Sequence, residues 1–449
     1  MGYLPPICRL PTELLALIFA TIVQEYESDP PYPEALGWFL LSVTLVSYPW
    51  REIALGTPRL WRNILIPGYA NLLDRSQGGE SAWELVGRKY HSPAFCIRQS
   101  AVVPLFVYVD GDTWPQELID SLLRPGICDR IQKHYLGPLA ISSVTPHNFR
   151  SLRSLGISIQ HFRTLELIYS WLLACGPSLF RLEFDSTLYC PTEPEALIAI
   201  PDLKPAELHN LKELCFWLVR PVDMPHILSC ISAPHLEHLT LLLSRMKDWP
   251  SSERCIPPAC LTSFGASGST PLHELKQLTL GGRLTARDVH AVLSLASTLE
   301  ELRLVDFQPP REETQFVLLS LAASESNTAS ISQTNASIPL ISSSAPLLNS
   351  ESTQPTFCSA PLRLLHLTTL ALTRCKISLS ELLRLLDYPL ASAVRTMLLD
   401  RHKLIGYKLI GHELSELAAL REAGISVWLW WHGPARFMFE RRETVSLWE

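Results

Sequence analysis

The sequence Leu-Thr-Thr-Leu-Ala-Leu-Thr-Arg-Cys-Lys-Ile at residues 367–377 shows a spacing that recurs along the chain. Its first part reads Leu-x-x-Leu-x-apolar, and Cys375 and Ile377 complete a longer form. Earlier copies of the short form start at Leu136, Leu152, Leu179, Leu211, Leu236, Leu275 and Leu299. The copies at 152, 179, 211 and 236 start 27, 32 and 25 residues apart, and such a period predicts a stack of similar units.

This pattern resembles the leucine-rich repeat. The resemblance implies an α/β fold in which residues 136–449 form an irregular solenoid, with parallel strands on the concave side and helices on the convex side. Returning helices are expected at 285–296, after the capping box Ser378–Glu381, and at 412–423 before the stop at Gly424. An apolar strand is expected next, at 425–431.

Residues 323–361 interrupt the repeats. They are rich in Ser, Thr, Asn and Pro, and their only charged residues are Glu325 and Glu351. A segment of this composition cannot bury enough apolar surface to offset the entropy lost on ordering. We therefore predict a disordered insertion.

The first 65 residues predict a small helical unit. Pro11 suits the first turn of a helix, because its missing N–H is not needed there. One apolar helix face follows from the spacing of Leu14, Leu15, Ile18, Phe19 and Ile22. The Pro-rich stretch 28–33 ends this helix, a second apolar segment covers 36–46, and a third runs from a turn at 57 to 64.

Three short motifs follow one another in this unit. They read Leu-Pro-x-Glu-Leu-Leu-x-x-Ile-Phe at 10–19, Leu-Val-x-x-x-Trp-Arg-x-Ile-Ala at 45–54 and Thr-Pro-x-Leu-Trp-x-x-Ile at 57–64. In this order they resemble the F-box of fungal F-box-like proteins. The sequence departs from the family at Ser47-Tyr48-Pro49, where a Cys usually precedes the Trp-Arg pair. Pro49 would either disturb the following helix or set its first turn.

The resemblance implies an adaptor that docks on the Skp subunit of a cullin–RING (SCF) ubiquitin ligase while the repeats hold an unidentified target protein. Such a chain is not an enzyme and needs no cofactor, since it contributes proximity alone. The implied docking and supporting residues are Leu10, Pro11, Leu14, Leu15, Ile18, Phe19, Leu45, Val46, Trp50, Leu60 and Trp61.

Two alternatives stay open at the level of the sequence. The helical spacing of Leu14, Ile18 and Phe19 also fits the core of an N-terminal cap for the repeats. The chain as a whole also fits a leucine-rich-repeat scaffold that binds proteins without recruiting a ligase. Residues 66–135 are interpreted as a linker or transition region, with a strand near 104–110.

Composition narrows the classes of partner. The net charge is −6, and no Lys/Arg run could follow a phosphate backbone, so we expect no nucleic-acid partner. The longest apolar stretches, 14–23 and 36–46, are far short of the ~20 residues that span a bilayer. The 11 scattered cysteines favour a reducing interior, so we expect a cytoplasmic or nuclear protein.

The glycine, histidine, cysteine and tryptophan patterns of the sequence favour structural roles over catalysis or metal binding. No Walker loop is present, and Gly265 and Gly268 do not form a nucleophile elbow. His235 and His238 flank a repeat leucine and are expected to frame a strand, while Cys255, Cys260 and His273 match no structural zinc spacing. The tryptophans at 428, 430 and 431 predict a cap on the open end of the repeats, with an aromatic ligand patch as the alternative.

Overall fold

The computed structural model describes residues 6–28, 33–66, 92–109, 120–122, 124, 126–136, 149–159, 165–185, 204–219, 223–243, 272, 274–281, 292–293, 296–305, 366–373, 394–400, 425–431 and 441–443. Within them, a small group of helices leads into a long sheet of parallel strands. The insertion at 323–361, most of the three expected returning helices, and Cys375 and Ile377 lie outside these residues.

The N-terminal helices share one apolar core. They comprise a 3-10 turn at Pro6–Arg9, helix α1 (Thr12–Ser28), helix α2 (Pro33–Val46), helix α3 (Tyr48–Leu55) and a 3-10 turn at Pro58–Trp61. Phe19, Leu40 and Ala54 bring the three helices together in this core. The buried Trp61 closes it, because its indole Nε1 donates a hydrogen bond to the Ala54 carbonyl at 2.7 Å.

The main sheet stacks its strands in chain order. Its members are β1 (Asn63–Ile66), β2 (Leu105–Val109), β3 (Ile131–Leu136), β4 (Ser154–Ser158), β5 (Arg181–Asp185), β7 (Glu213–Val219), β9 (His238–Leu243), β10 (Gln277–Gly281), β11 (Glu301–Val305), β12 (Thr369–Thr373), β13 (Thr396–Asp400), β14 (Ser426–Trp431) and β15 (Arg441–Glu443). The short β6 (Ala206–Glu207) and β8 (Ile231–Ser232) pair separately. Every described pairing is parallel except β14 with β15.

The repeat leucines form a ladder through the interior. Register aligns one leucine of each coil with the next, through Leu155, Leu182, Leu214, Leu239, Leu278, Leu302 and Leu370. These side chains are buried. Because strand residues alternate between faces, the intervening polar positions face away from the ladder on the outer face of the sheet.

Each coil is also tied to its predecessor just before its strand. The carbonyl of Phe180 accepts hydrogen bonds from the amides of Lys212 and Glu213, at 2.8 and 3.1 Å. The Lys212 carbonyl accepts from the next coil in the same way, through the amides of Glu237 and His238. This repeated pairing fixes the register of successive coils.

Helices fill the returns between several strands. Helix α4 (Pro93–Gln99), helix α5 (Leu165–Cys175) and helix α6 (Met224–Ser229) each connect two parallel strands. Helix α5 buries Ile168, Trp171 and Leu172. The predicted α/β fold with parallel strands is confirmed. No helix among the described residues combines the length and the apolar character needed to cross a membrane.

The sheet begins earlier than the repeat motif indicates. Its first strand starts at Asn63, and β2 and β3 follow in the same sheet, within residues interpreted from sequence as a transition region. The first motif copy starts at Leu136, whereas strand β3 covers Ile131–Leu136 and so ends at that residue. The early coils depart from the leucine consensus, because Val107 and His134 take the inward positions aligned with Leu155.

Candidate docking surface

Helix α1 carries apolar side chains on two faces. The first face holds Leu15, Phe19 and Val23, at i, i+4 and i+8, and all three side chains are buried. The other face shows Leu14, Leu17 and Ile18 with exposed fractions of 46%, 61% and 39%. The helical core of the chain is therefore complete without the second face.

A second exposed apolar group lies where helix α2 meets helix α3. Leu45, Val46 and Tyr48 are all exposed there, Tyr48 by 68%. Of the 11 large apolar side chains exposed among the described residues, seven lie between Ile7 and Tyr48. Exposed apolar side chains concentrated in one small domain are candidates for an interaction site. Leu14, Leu17, Ile18, Leu45, Val46 and Tyr48 are together named the docking surface below.

The Ser-Tyr-Pro departure builds a regular helix start. Ser47 is the N-cap of helix α3, and its Oγ accepts a hydrogen bond from the Trp50 amide at 3.4 Å. Pro49 lies in the first turn, where it removes no helical hydrogen bond. Arg51 Nε donates to the Thr44 carbonyl at 3.0 Å and so ties the two helices together. Of the two outcomes expected for Pro49, the structure shows the harmless one.

The residues predicted from sequence to bind the partner fall into two groups. Pro11, Leu14, Ile18, Leu45 and Val46 are exposed, whereas Leu15, Phe19, Leu60 and Trp61 are buried. Leu10 and Trp50 are intermediate and pack against the core.

The buried group supports the exposed one. The ring of Phe19 lies 5.0 Å from Trp50 and 6.3 Å from Phe39 between centroids, and Trp61 lies 5.2 Å from Phe95. These contacts make the buried residues core residues, which hold helix α1 in place and offer a partner no surface. Sequence reasoning missed Leu17 and Tyr48, because neither belongs to the matched motif positions.

A buried carboxylate joins the helices to the sheet. Glu27, near the end of helix α1, has a side chain only 5% exposed. It accepts hydrogen bonds from Arg62 Nε at 2.7 Å and Asn63 Nδ2 at 2.6 Å, and Arg62 Nη2 also pairs with it. The Arg62 guanidinium in turn lies 4.5 Å over the Phe106 ring of β2. We name this group the Glu27 latch; it fixes helix α1 against the first strands.

Several titratable side chains of the described residues lie in the interior or in ion pairs. Among the described residues, no three His, Cys, Asp or Glu side chains come together as a metal site. Burial raises the pKa of Cys96, Cys175 and Cys215 to about 12, so these thiols stay protonated. His235 pairs with Glu274 at 3.2 Å, and His238 is the first residue of strand β9.

The N-terminal region resembles a known protein family. Residues 7–67 match the F-box-like family, and these residues contain the docking surface, the core beneath it and strand β1. Residues 7–67 are thus an F-box-like domain.

Among solved structures, the chain is similar to the leucine-rich repeat-containing protein LegL7 from Legionella pneumophila. The sequence identity is 13%, the TM-score is 0.37, and the similarity covers 93% of this chain and 92% of that one. No curated protein matches the chain in sequence. The fold assignment rests on the parallel register and the leucine ladder described above.

Proposed function

We propose that this protein is the substrate-recognition adaptor of an SCF ubiquitin ligase. The observation that carries the proposal is the docking surface, an exposed apolar group on an F-box-like domain whose own core is complete without it. A Skp-type adaptor subunit would cover this surface and connect the chain to a cullin–RING ligase. Such a complex would act in the cytoplasm or the nucleus.

The sheet would supply the second half of the function. Its outer face presents polar and charged side chains on successive strands, such as Arg181, Glu213 and His238. A target protein held there gains a high effective concentration near the conjugating enzyme, and the chain itself performs no chemistry. The Glu27 latch supports separate roles for the helices in adaptor docking and the sheet in target binding, because it holds the docking surface in one orientation relative to the first strands.

Co-purification with a Skp-type adaptor tests the proposal. Wild-type chain should recover the adaptor, and Leu14→Asp should lose most of it, because a charge in an apolar interface is costly. Leu173→Asp is the matched control, since Leu173 is also an exposed leucine on a helix but lies in helix α5.

Equal recovery by wild type and Leu14→Asp would overturn docking through this surface. Failure of wild type to bind any Skp-type adaptor would favour the scaffold that recruits no ligase.

A further inference from the structure

A cleft opens where the end of helix α1 meets the outer face of the sheet. Glu27 lies on one side of it, and residues from strands β2 to β5 line the rest. Two rows of neighbouring strand positions form its wall: Lys133, Ser154 and Arg181 in one, and Tyr135, Gly156 and Glu183 in the other. Tyr108, next to Tyr135 in register, completes the lining. We name it the Lys133 cleft.

The ammonium group of Lys133 is poorly satisfied in this cleft. Its only hydrogen bond within the described residues is a long one, 3.4 Å to the Glu27 carbonyl oxygen. The Nζ atom also lies 4.8 Å over the Phe106 ring, and no described carboxylate comes within ion-pairing distance. Burial lowers the pKa of Lys133, partly opposed by the charge of Glu27. A half-buried cation with so few partners is costly for stability alone.

Two further residues that line the cleft carry hydroxyl donors without an acceptor among the described residues. Within the described residues, the hydroxyl groups of Tyr108 and Ser154 form no hydrogen bond. Arg181 directs Nε to Glu183 and Nη1 to Glu213, and its Nη2 forms no hydrogen bond to a described residue. Lys133, Tyr108 and Ser154 thus offer spare donors on adjacent strands.

The acidic groups of the cleft are already engaged. Glu27 is held by the latch, and Glu183 pairs with Arg181. The Tyr135 hydroxyl donates to Asp185 at 2.9 Å, across Gly156. Glycine is needed there, because a Cβ at position 156 would collide with the Tyr135 ring. The described residues of the cleft therefore leave no free carboxylate for its spare donors.

We propose that the Lys133 cleft binds the carboxylate of an acidic side chain on the target protein, with Lys133, Tyr108 and Ser154 as the donors. This proposal rests on the proposed function, since it takes the outer face of the sheet to be the target-binding face. A single negative charge suits the cleft better than a doubly charged phosphoryl group, because Glu27 and Glu183 line the same cleft.

The position of the cleft would place the target close to the ligase. Glu27 and Leu14 lie on the same helix, 13 residues apart, and thus about 20 Å apart along its axis at ~1.5 Å per residue. An acidic residue bound in the cleft would anchor the target next to the docked adaptor subunit.

Binding to immobilised peptide libraries tests this assignment. Each library has random flanking residues and one fixed central residue: Glu, Gln, Lys or phosphoserine. Full-length wild-type chain should bind the Glu library about tenfold more than the Gln library, since charge-assisted hydrogen bonds are roughly twice as strong as neutral ones. Lys133→Met should lose that preference, and Tyr108→Phe should weaken it severalfold.

Lys276→Met is the matched control, because Lys276 is an exposed lysine already paired with Glu237 at 2.9 Å. It should keep the preference for Glu. Since Lys133 forms no described ion pair, Lys133→Met should melt no lower than wild type, and Tyr108→Phe provides a second variant if it does.

A wild-type chain without a preference for Glu, or a preference retained in Lys133→Met, would overturn the proposal. Stronger binding of the phosphoserine library than of the Glu library would overturn the carboxylate assignment. Either result would leave adaptor co-purification unchanged, so failure of this proposal is distinguishable from failure of the proposed function.

Discussion

The two apolar faces of helix α1 differ in what covers them. Leu15 and Phe19 are sealed against helices α2 and α3, whereas Leu14 and Ile18, only one residue away from each, are exposed. Both faces follow helical spacing and use large apolar residues. Periodicity therefore shows that a helix has apolar faces, but only the packing of the rest of the chain shows which face remains for a partner.

The largest expected effect comes from the buried face. Phe19→Ala removes a ring that contacts Phe39 and Trp50, and such a cavity costs about 3–5 kcal/mol of unfolding free energy. Urea denaturation followed by tryptophan fluorescence should show this loss. Leu17→Ala, on the exposed face, should change stability by less than about 0.5 kcal/mol. Equal losses in the two variants would remove the distinction between the faces.

Loss of the Glu27 latch is expected to cause the next-largest decrease in unfolding free energy. Glu27→Ala leaves Arg62 and Asn63 without their shared carboxylate, at a cost of about 3 kcal/mol. Glu13→Ala is the control, because Glu13 is an exposed carboxylate on the same helix. Thermal unfolding should separate the two variants clearly. A Glu27→Ala chain as stable as wild type would show that the latch contributes little to joining helices and sheet.

Leu17 tests whether the exposed face of helix α1 contributes to adaptor binding. Leu17→Asp should weaken binding of a Skp-type adaptor by about 2 kcal/mol, roughly thirtyfold, if Leu17 anchors the interface. Its melting temperature should equal that of wild type, since the side chain is outside the core. Calorimetric titration of purified adaptor measures the affinity. A drop in stability with unchanged affinity would reverse the roles of the two faces.

His134 provides a pH-dependent test of the sheet region. Burial between Phe149 and Trp171 lowers its pKa to about 3, so the folded chain keeps it neutral while the unfolded chain protonates it near pH 6.5. The unfolded state then binds more protons, and stability should fall as the pH drops below 6.5, by up to about 1.4 kcal/mol over the first pH unit. His134→Phe should remove this part of the slope. Identical slopes in both proteins would contradict a neutral buried His134.

The smallest expected effect comes from Glu237, a solvent-accessible residue directly before strand β9. Hydrogen bonds from Lys212 and Lys276 lower the pKa of Glu237 to about 2. The resulting stabilisation is present above the unfolded pKa, about 4.3, and is lost as the pH falls towards 2. Because the pair is solvent-accessible, Glu237→Gln should cost less than about 1 kcal/mol at pH 7. High salt should reduce the difference, and a loss above 2 kcal/mol would contradict this ranking.

The sequence predicted some of these features and not others, for physical reasons. The leucine spacing predicted strands β4, β5, β7 and β9 to β12, because each motif leucine must point into the ladder. It did not predict strands β1 and β3, whose interiors use Ile64 and His134 instead. Strand β2, with Val107 inside, was predicted from the apolar stretch near 104–110 and not from a leucine motif.

At the docking surface, the F-box resemblance found Leu14 and Ile18 but did not separate them from Phe19, since spacing does not report what packs on a face. The Glu27 latch could not be predicted from sequence spacing, because its hydrogen bonds join residues more than 30 positions apart.

Side-chain footprinting with hydroxyl radicals shows whether a Skp-type adaptor covers the docking surface. Oxidation rates of the full-length chain are compared with and without a bound Skp-type adaptor, by mass spectrometry. Tyr48 and Leu14 should be protected several-fold. Phe180, just before strand β5, and Leu173, on helix α5, are also exposed and should keep their rates. Unchanged oxidation of Tyr48 and Leu14 in the complex would show that the adaptor binds elsewhere and not at the docking surface.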